Sequence, residues 1–385
     1  MKLNHYLMED ALESLIDYRG KTPKKSDEGI PTLSAKSVKN GYIDYGECYY
    51  ISPEEYKKFM VRGFPKVGDV LLTTEAPMGM VAKLDRDDVA IAQRLITLRG
   101  KEGVLDNDYL LYYLQSPIGQ HKLAERETGS TVTGIKQAAF RKIEIDIPDI
   151  EIQRKIAACL SCIDAKISTN KLINRNLLEQ AQTLFSKYYD TAEEVEEFRI
   201  LIDVLGGGTP KTSNDDYWNG SIPFFTPKDV GMPYTFQTEK SITEEGLQHC
   251  NSKVYPTNTT FVTARGTVGK VSLAGVPMAM NQSCYALASE KLPEILVYFY
   301  TLEAVKSLRH KASGAVFDAI VTRDFDTEKI RVLDYITTES FMKFASPTFE
   351  QIHMNTVENL QLHDLRDGML PKLMSGELDI SDVKI

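Results

Sequence analysis

The segment "EIQRKIAACLSCIDAKISTNKLINRNLLEQAQTLFSKYY", residues 151–189, contains no glycine or proline, and its apolar and asparagine residues recur at alternating spacings of four and three. That spacing is typical of the seam of a coiled coil. The seam positions are Ile156, Leu160, Ile163, Ile167, Asn170, Asn174, Leu177, Ala181 and Leu184. The segment therefore predicts a long helix that packs against another helix, with Asp149 as its N-terminal cap.

A second segment, 185 residues further along the chain, has the same register. Its positions are Phe341, Ala345, Thr348, Ile352, Asn355, Asn359, Leu362, Arg366 and Met369. If the two helices run antiparallel, the asparagines of both segments can meet and set the register of the seam. The alternative is that they are solvated positions where the seam opens. Pro347 is expected to kink this second helix or to end its first part.

The repeat extends beyond the helices. "IDYRGKTPKK" from Ile16 parallels "IDVLGGGTPKT" from Ile202, and "DVLLTTEAPMGMVAKL" from Asp69 parallels "TTFVTARGTVGKVSLA" from Thr259. These are strand-like apolar runs bounded by turn residues. The pattern predicts an α+β chain in which two similar mixed α/β domains, residues 1–148 and 191–338, are separated by two long antiparallel helices, 149–190 and 339–385 with the tail. A pseudo-two-fold internal repeat would relate the halves.

Composition is that of an ordinary globular chain, since 42% of its 385 residues are hydrophobic and 26% are charged. The sequence contains no run of 18 apolar residues, and its start, "MKLNHYLMEDALESL", is acidic and amphipathic, unlike a signal peptide. We therefore expect a cytoplasmic protein without membrane association. Five scattered cysteines favour reduced thiols, and Cys159 and Cys162 are interpreted as small helix residues.

The net charge of −9 on its face disfavours nucleic acid. The charge is unevenly distributed, however, because residues 1–190 hold 27 basic and 27 acidic residues whereas residues 191–385 hold 18 and 27. Part of the acidic excess lies in "AEEVEE", residues 192–197. Since local patches set the field that a ligand meets, net charge does not exclude DNA.

Motifs that resemble catalytic sites fail on chemistry. In "LGGGTPKTSNDDYWNGSIPFFTPKDV", residues 205–230, Pro210 precedes Lys211 and removes the amide that a Walker phosphate loop needs. Asp149 and Asp164 resemble nuclease carboxylates, but fifteen helical residues place them about 22 Å apart. The chain has no Pro-Pro dipeptide for a methyltransferase tetrad and no histidine pair spaced for zinc. We expect neither catalytic residues nor a metal site.

Several long segments together resemble the specificity subunit of type I restriction-modification enzymes over essentially the whole chain. They are residues 206–230, "TARGTVGKVSLAG" with "AMNQSCYAL", the long helix from residue 151, and "LRDGMLPKLMSGELDI" from Leu365. The resemblance implies a non-catalytic DNA-recognition subunit of a type I site-specific deoxyribonuclease. Each domain would be a target-recognition domain that reads one half of an asymmetric bipartite site, and the helices would set the gap. The segment 18–38 lacks the second copy's glycine-rich pattern, which puts a common reading surface in doubt.

The resemblance also implies partners and cofactors. The partners would be double-stranded DNA, two methyltransferase (modification) subunits and restriction subunits. No cofactor would bind this chain, whereas the partner subunits would use S-adenosylmethionine, ATP and Mg²⁺. The rival hypothesis is a two-domain adaptor that does not bind DNA.

Candidate DNA contacts are loop residues with basic, hydroxyl or amide groups. Ammonium groups suit phosphates, and the candidates of this kind are Lys21, Lys24, Lys25, Lys36, Lys211 and Lys228. Residues proposed to read base edges are Arg62, Gln93, Arg94, Arg265, Thr267, Lys270 and Gln282. Each of them has the alternative of being a solvated surface residue. Trp218, beside an Asn-Gly turn, is expected to pin its loop to the core.

Overall fold

The computed structural model describes residues 2–18, 20–129, 133–311, 319–381 and 383. The chain forms two compact units. Unit 1 comprises residues 1–168 and 359–385, and unit 2 comprises residues 169–358. Each unit contains one copy of the repeated domain together with segments of two long helices.

The first copy is built from short strands and short helices. Its strands are β1 Asn4–Leu7, β2 Leu12–Asp17, β3 Lys25–Ser26, β4 Ile30–Leu33, β5 Tyr49–Ile51, β6 Val70–Thr73, β7 Val81–Lys83, β8 Ala90–Ile91, β9 Leu95–Gly100, β10 Glu127–Thr128, β11 Gly134–Ile135 and β12 Glu144–Ile147. Its helices are α1 Met8–Ala11, α2 Pro53–Phe59, α3 Asn107–Gln115, α4 Pro117–Ala124 and α5 Gln137–Arg141, followed by the long helix α6 Ile150–Thr191.

The second copy follows the same plan. Its strands are β13 Val195–Glu197, β14 Asp203–Gly206, β15 Trp218–Phe225, β16 Tyr234–Thr235, β17 Lys240–Ile242, β18 Thr260–Thr263, β19 Val271–Ala274, β20 Ala279–Met280, β21 Cys284–Ala288 and β22 Lys329–Arg331. Its helices are α7 Phe198–Leu201, α8 Glu244–Gln248, α9 Glu294–Lys311 and α10 Thr322–Asp326, followed by the long helix α11 Tyr335–Ser375.

Strand order repeats between the units, which confirms the duplicated mixed α/β fold. Unit 1 has an antiparallel sheet β2-β9-β6-β7, and unit 2 has the corresponding β14-β21-β18-β19, extended by β16. A second sheet is β3-β5-β4-β8 in unit 1 and β17-β15-β20 in unit 2. A two-stranded ribbon joins the ends of each domain, β1 with β12 and β13 with β22.

The central strands β6 and β18 are buried along their whole length. Continuous burial is typical of strands that are covered on both faces. In unit 2 helix α9 lies against this sheet with Tyr298, Phe299 and Tyr300 fully buried. In unit 1 the corresponding helix is split into α3 and α4 because Pro117 begins a new first turn, where its missing amide costs nothing.

A polar network anchors helix α6 to the domain in unit 1. The Tyr112 hydroxyl donates to Asp164 Oδ2 at 2.7 Å, and Arg366 Nη1 of α11 donates to Asp164 Oδ1 at 2.8 Å. Burial, together with the hydrogen bond to Asp164, raises the pKa of the Tyr112 hydroxyl, so it remains a donor. In unit 2 Phe349 of α11 is the residue 185 positions after Asp164, and it packs edge to face against Tyr298 of α9 with ring centroids 5.8 Å apart. The same anchor is thus polar in one copy and aromatic in the other.

Within unit 2, α6 and α11 pack antiparallel through a polar seam. Asn355 Nδ2 donates to Asn174 Oδ1 at 2.8 Å, Asn170 Nδ2 donates to Glu358 Oε2 at 2.7 Å, and the Tyr188 hydroxyl lies 3.2 Å from Ser340 Oγ. Asn170 and Asn355 are buried, which is contrary to the solvated alternative. In unit 1 Asn359 is buried as well.

Pro347 does not end the second long helix, which runs without interruption from Tyr335 to Ser375. A proline inside a helix costs about 3 kcal/mol, whereas each large apolar side chain that is fully buried returns about 1.5–3 kcal/mol. Phe341 and Phe349, on either side of Pro347, are both buried. The helix also begins earlier than residue 339 because the Asp334 carboxylate accepts a hydrogen bond from the Thr337 amide at 2.7 Å.

Replacing Arg366 by methionine should destabilise unit 1. The substitution leaves Asp164 with one donor fewer in a half-buried site, for which we expect a loss of about 1–3 kcal/mol in the free energy of unfolding. Urea titration would measure the loss in the free energy of unfolding, with hydrogen exchange of the α3 amides as the probe of unit 1. The matched control is Arg175→Met, since Arg175 is exposed and its ion pair with Glu179 spans 3.9 Å. Equal effects of the two substitutions would contradict the role given to the network.

Candidate nucleic-acid interface

Two parallel strands bring candidate residues of unit 1 to one edge. Strands β4 and β8 pair in parallel, with Thr32 opposite Ala90 and Leu33 opposite Ile91. Chain segments that follow the carboxyl ends of parallel strands leave the sheet at the same edge. Lys36 follows β4, and Gln93 and Arg94 follow β8. These three residues therefore lie together at the carboxyl end of the strand pair.

Unit 2 repeats this arrangement with β15 and β20, where Phe224 is opposite Ala279 and Phe225 is opposite Met280. Lys228 follows β15 at the same distance as Lys36 follows β4, and Gln282 corresponds to Gln93. The same backbone hydrogen bond closes both edges. The Ala92 amide donates to Leu33 O at 2.8 Å, and the Asn281 amide donates to Phe225 O at 3.0 Å.

A hairpin tip adjoins this edge in each unit. We call residues 74–80, between β6 and β7, the tip of unit 1, and residues 264–270, between β18 and β19, the tip of unit 2. A buried threonine closes each tip: Thr73 Oγ1 donates to Pro77 O and accepts from the Met80 amide at 2.9 Å, while Thr263 Oγ1 donates to Thr267 O and accepts from the Lys270 amide at 3.0 Å.

Backbone hydrogen bonds tie each tip to the loop that follows the parallel strand. The Thr74 amide donates to Arg94 O at 2.9 Å, and the Ala264 amide donates to Ser283 O at 2.8 Å. Tip and loop thus form one surface in each unit. We call it the strand-end surface: Lys36, Gln93, Arg94 and the tip in unit 1, and Lys211, Lys228, Gln282 and the tip in unit 2.

The candidates of unit 2 all belong to loops that touch one another. Thr267 Oγ1 donates to Pro227 O at 3.1 Å, which places the tip beside Lys228. Gln282 Oε1 accepts from the Thr209 hydroxyl, two residues before Lys211. Arg265 and Lys270 lie on the tip, and both are exposed. The structure therefore brings Lys211, Lys228, Arg265, Thr267, Lys270 and Gln282 together.

Each strand-end surface presents one arginine, but the two arginines occupy different positions of the repeat. Arg94 is exposed, its φ is +70°, and its Nε lies 3.5 Å from Glu75 Oε2 on the tip. In unit 2 Arg265 occupies the tip position of Glu75, and Ser283 occupies the loop position of Arg94. A left-handed backbone at a residue other than glycine is uncommon and is found preferentially at functional sites. Glu75 was missed by sequence reasoning, although its alignment with Arg265 in the repeat marks it.

The structure does not bring Lys24 and Lys25 together with Lys36, contrary to the grouping along the sequence. Lys25 lies in β3, level with Ile30 at the start of β4, and its ammonium stands 4.7 Å from the centre of the Tyr49 ring. Three strand spacings, about 14 Å, separate β3 from β8 across the sheet. The reason is that the chain after Tyr18 crosses to the opposite edge of this sheet.

The remaining candidates of unit 1 have structural contacts of their own. Arg62 Nη1 donates to Asp17 O at 2.8 Å, and its guanidinium lies 6.0 Å from the centre of the Tyr18 ring. The Lys24 amide donates to Glu55 Oε1 at 2.9 Å. The Lys21 amide donates to Tyr18 O at 3.2 Å, and its side chain is exposed.

The glycine-rich stretch of unit 2 serves close backbone packing. A Cβ at Gly207 would stand 2.3 Å from Asn281 O, and one at Gly208 would stand 2.5 Å from the Asn251 amide nitrogen. Trp218 packs edge-on against Phe224 and donates from Nε1 to Lys211 O at 3.4 Å. It thus holds the loop that carries Lys211, at a cleft of about 330 Å³.

Two further observations concern metal binding and membrane-spanning helices. Among the residues that the structure describes, no group of three or more His, Cys, Asp or Glu side chains is arranged to hold a metal ion. Within the same residues, no helix is both long enough and apolar enough to cross a membrane.

Comparison with known families now defines the class. Residues 11–180 and 193–332 each match the family model of the type I restriction modification DNA specificity domain. The chain therefore contains two DNA specificity domains, one in each copy of the duplicated fold. The chain belongs to the family of type I restriction-modification specificity proteins.

Relatives of known type support this assignment over most of the chain. The type I restriction enzyme MjaIX specificity subunit of Methanocaldococcus jannaschii is 25% identical over 383 residues, covering 92% of this chain and 88% of that protein. The HindI specificity subunit of Haemophilus influenzae is 21% identical and covers 81% of this chain and 87% of that protein. The crystal structure of a type I S subunit from M. genitalium shares the fold, with a TM-score of 0.64 at 15% identity over 97% of this chain and 96% of the other.

Replacing Thr263 by valine should loosen the tip of unit 2. Thr263 is fully buried, and its hydroxyl forms hydrogen bonds to both sides of the tip. The Lys270 amide would lose its acceptor, at a cost of about 1–3 kcal/mol. Hydrogen exchange should accelerate at the Lys270 amide more than at the Gly269 amide, which bonds to the Thr263 carbonyl. Unchanged exchange at Lys270 would show that the hydroxyl does not hold the tip.

Proposed function

We propose that this chain is the DNA-binding subunit of a type I restriction-modification complex and reads an asymmetric bipartite target, with one half-site for each unit. The observation that carries the proposal is the strand-end surface, which occurs twice on the same scaffold with different side chains. A repeated scaffold supports two similar modes of docking on DNA. Different residues on it support recognition of two different half-sites.

The chemistry of the two surfaces fits a division between positioning and reading. Lys36 and Lys228 occupy equivalent places, and ammonium groups suit phosphates, which position a protein without specifying sequence. Gln93 and Gln282 are also equivalent, whereas the arginine moves from residue 94 to residue 265. A guanidinium placed against a base edge prefers guanine, and an amide prefers adenine. The arginines are thus the best candidates for a difference between the half-sites.

Partners and cofactors follow from the family. We propose assembly with two modification subunits, which would use S-adenosylmethionine, and with restriction subunits, which would use ATP and Mg²⁺. This chain would contribute no catalytic group and would work in the cytoplasm, where the host DNA is accessible. The family membership supports a shared complex.

The two long helices are proposed to set the gap between the half-sites. Helix α6 has 42 residues, which at 1.5 Å per residue span about 63 Å. That length exceeds the roughly 34 Å that separate half-sites one turn of DNA apart. A buried asparagine contact such as Asn174 with Asn355 favours one register of the helices over others.

The rival hypothesis is a two-domain adaptor without affinity for DNA. It would leave the basic and amide residues of both strand-end surfaces without a common purpose. The complex with modification subunits should bind duplex DNA with an affinity that falls steeply as salt increases. Absence of sequence-specific methylation by the reconstituted complex would refute the proposal.

Replacing Arg265 by alanine should relax recognition in the half-site of unit 2 only. Loss of a bidentate arginine contact costs about 1–3 kcal/mol of discrimination. Single-molecule mapping of methylated sites, with wild-type and variant complexes, measures this directly. Arg199→Ala is the control, since Arg199 lies in α7 and pairs with Asp326 at 3.2 Å, away from the strand-end surface. Equal loss over both half-sites would indicate a folding defect instead.

Lengthening both helices by one seam repeat should lengthen the gap. Duplicating residues 169–175 and 353–359 keeps the native seam residues and adds seven residues, about 10 Å, to each helix. With 3.4 Å per base pair, the recognised gap should grow by about three base pairs. Both half-sites should stay the same in the methylation map. An altered half-site with an unaltered gap would show that the helices do not act as a ruler.

A further inference from the structure

One helix side chain in each unit donates hydrogen bonds to backbone carbonyls of the hairpin tip. In unit 2, Arg309 of α9 donates from Nη2 to Val268 O at 2.9 Å and to Gly269 O at 2.8 Å. In unit 1, Gln120 of α4 donates from Nε2 to Gly79 O at 2.9 Å and to Leu114 O at 2.6 Å. Both contacts are made to equivalent residues of the two tips, Gly79 and Gly269, by helix side chains of different types.

Glycine makes both contacts possible. Gly79 has φ of +89° and Gly269 has φ of +75°. A Cβ at Gly79 would stand 2.6 Å from Gln120 Oε1, and one at Gly269 would stand 2.9 Å from Val305 Cγ1 and 3.0 Å from Arg309 Nε. The helix side chain therefore sits directly against the backbone of the tip, and a larger residue at either glycine would displace it.

In unit 2 the contact constrains the part of the tip that carries candidate base readers, whereas in unit 1 the tip carries Glu75, whose carboxylate lies 3.5 Å from the candidate reader Arg94. Thr263 closes the base of the unit 2 tip, and Arg309 holds its far side at Val268 and Gly269. Between these two holds lie Arg265, Gly266 and Thr267, all exposed. Their backbone is thus fixed from both sides while their side chains remain accessible.

We propose that Arg309 and Gln120 are positioning residues for sequence recognition, each setting the specificity of its own half-site through the tip that it holds. The inference rests on the proposed function. Base contacts depend on donors and acceptors that are held in place within a fraction of an ångström, whereas phosphate contacts tolerate movement. Loosening a tip should therefore reduce discrimination between sequences and leave non-specific affinity for DNA unchanged.

The test uses the full chain assembled with its modification subunit and the target mapped with the wild-type complex. Affinity is measured for four duplexes: the target, the target altered in the half-site of unit 1, the target altered in that of unit 2, and an unrelated sequence. In the Arg309→Ala complex, the ratio of affinities for the target and for the duplex altered in the half-site of unit 2 should fall about tenfold, which is the size of one base contact. Affinity for the unrelated duplex and discrimination in the other half-site should stay within about twofold of wild type.

Three further variants complete the design. Arg309→Lys keeps a donor for the two carbonyls and should restore most of the discrimination. Gln120→Ala should also reduce discrimination, but only in the half-site of unit 1. Lys306→Ala, on the same helix as Arg309 and paired with Glu303 at 3.4 Å, should behave as wild type.

The outcomes of this test distinguish failure of the inference from failure of the proposed function. Unchanged discrimination in Arg309→Ala overturns the inference while the function stands. Loss in both half-sites, accompanied by a lowered melting temperature, also overturns it, because Arg309 would then act only in stability. A wild-type complex that fails to discriminate any target overturns the proposed function itself.

Discussion

The structure depends on a pair of parallel strands in each unit, because their common direction sends two distant chain segments out at one edge. The pair is short, two residues in register, and a further backbone hydrogen bond closes it: Ala92 to Leu33 in one copy and Asn281 to Phe225 in the other. The hairpin tip joins at the same edge through Thr74 or Ala264. Since these bonds involve only backbone atoms, the side chains on the loops are free to differ between the copies.

The two copies differ in the side chains of these loops, and also in the contact that anchors a long helix to its domain. Arg94 beside Glu75 in unit 1 is replaced by Ser283 beside Arg265 in unit 2, so the guanidinium approaches from another position. The anchor of the helix to the domain is Tyr112 with Asp164 in unit 1, whereas in unit 2 an aromatic pair takes its place. A polar anchor depends on direction and an aromatic one on shape, so the two copies are not interchangeable parts.

Periodicity predicted the long helices and the contact between Asn174 and Asn355 because a helix repeats its faces at fixed spacing. It did not predict that α11 continues through Pro347, since the burial of Phe341 and Phe349 that offsets the proline is a tertiary effect. The repeat also indicated Gln93 with Gln282 and Lys36 with Lys228 as equivalents. It could not separate Lys25 from Lys36, because the distance between them is set by which strands pair.

By itself, the sequence determined the duplicated plan, the two helices and the family, since each of these is written as a local pattern or as a repeat of one. Only the tertiary structure decided which loops meet. The hairpin tip contacts the loop after β8 or β20, and Arg309 and Gln120 donate hydrogen bonds to the tips, so that residues far apart in the chain come together. The tertiary structure also shows the left-handed backbone of Arg94. Such contacts arise from strand pairing and close packing, which no single stretch of sequence specifies.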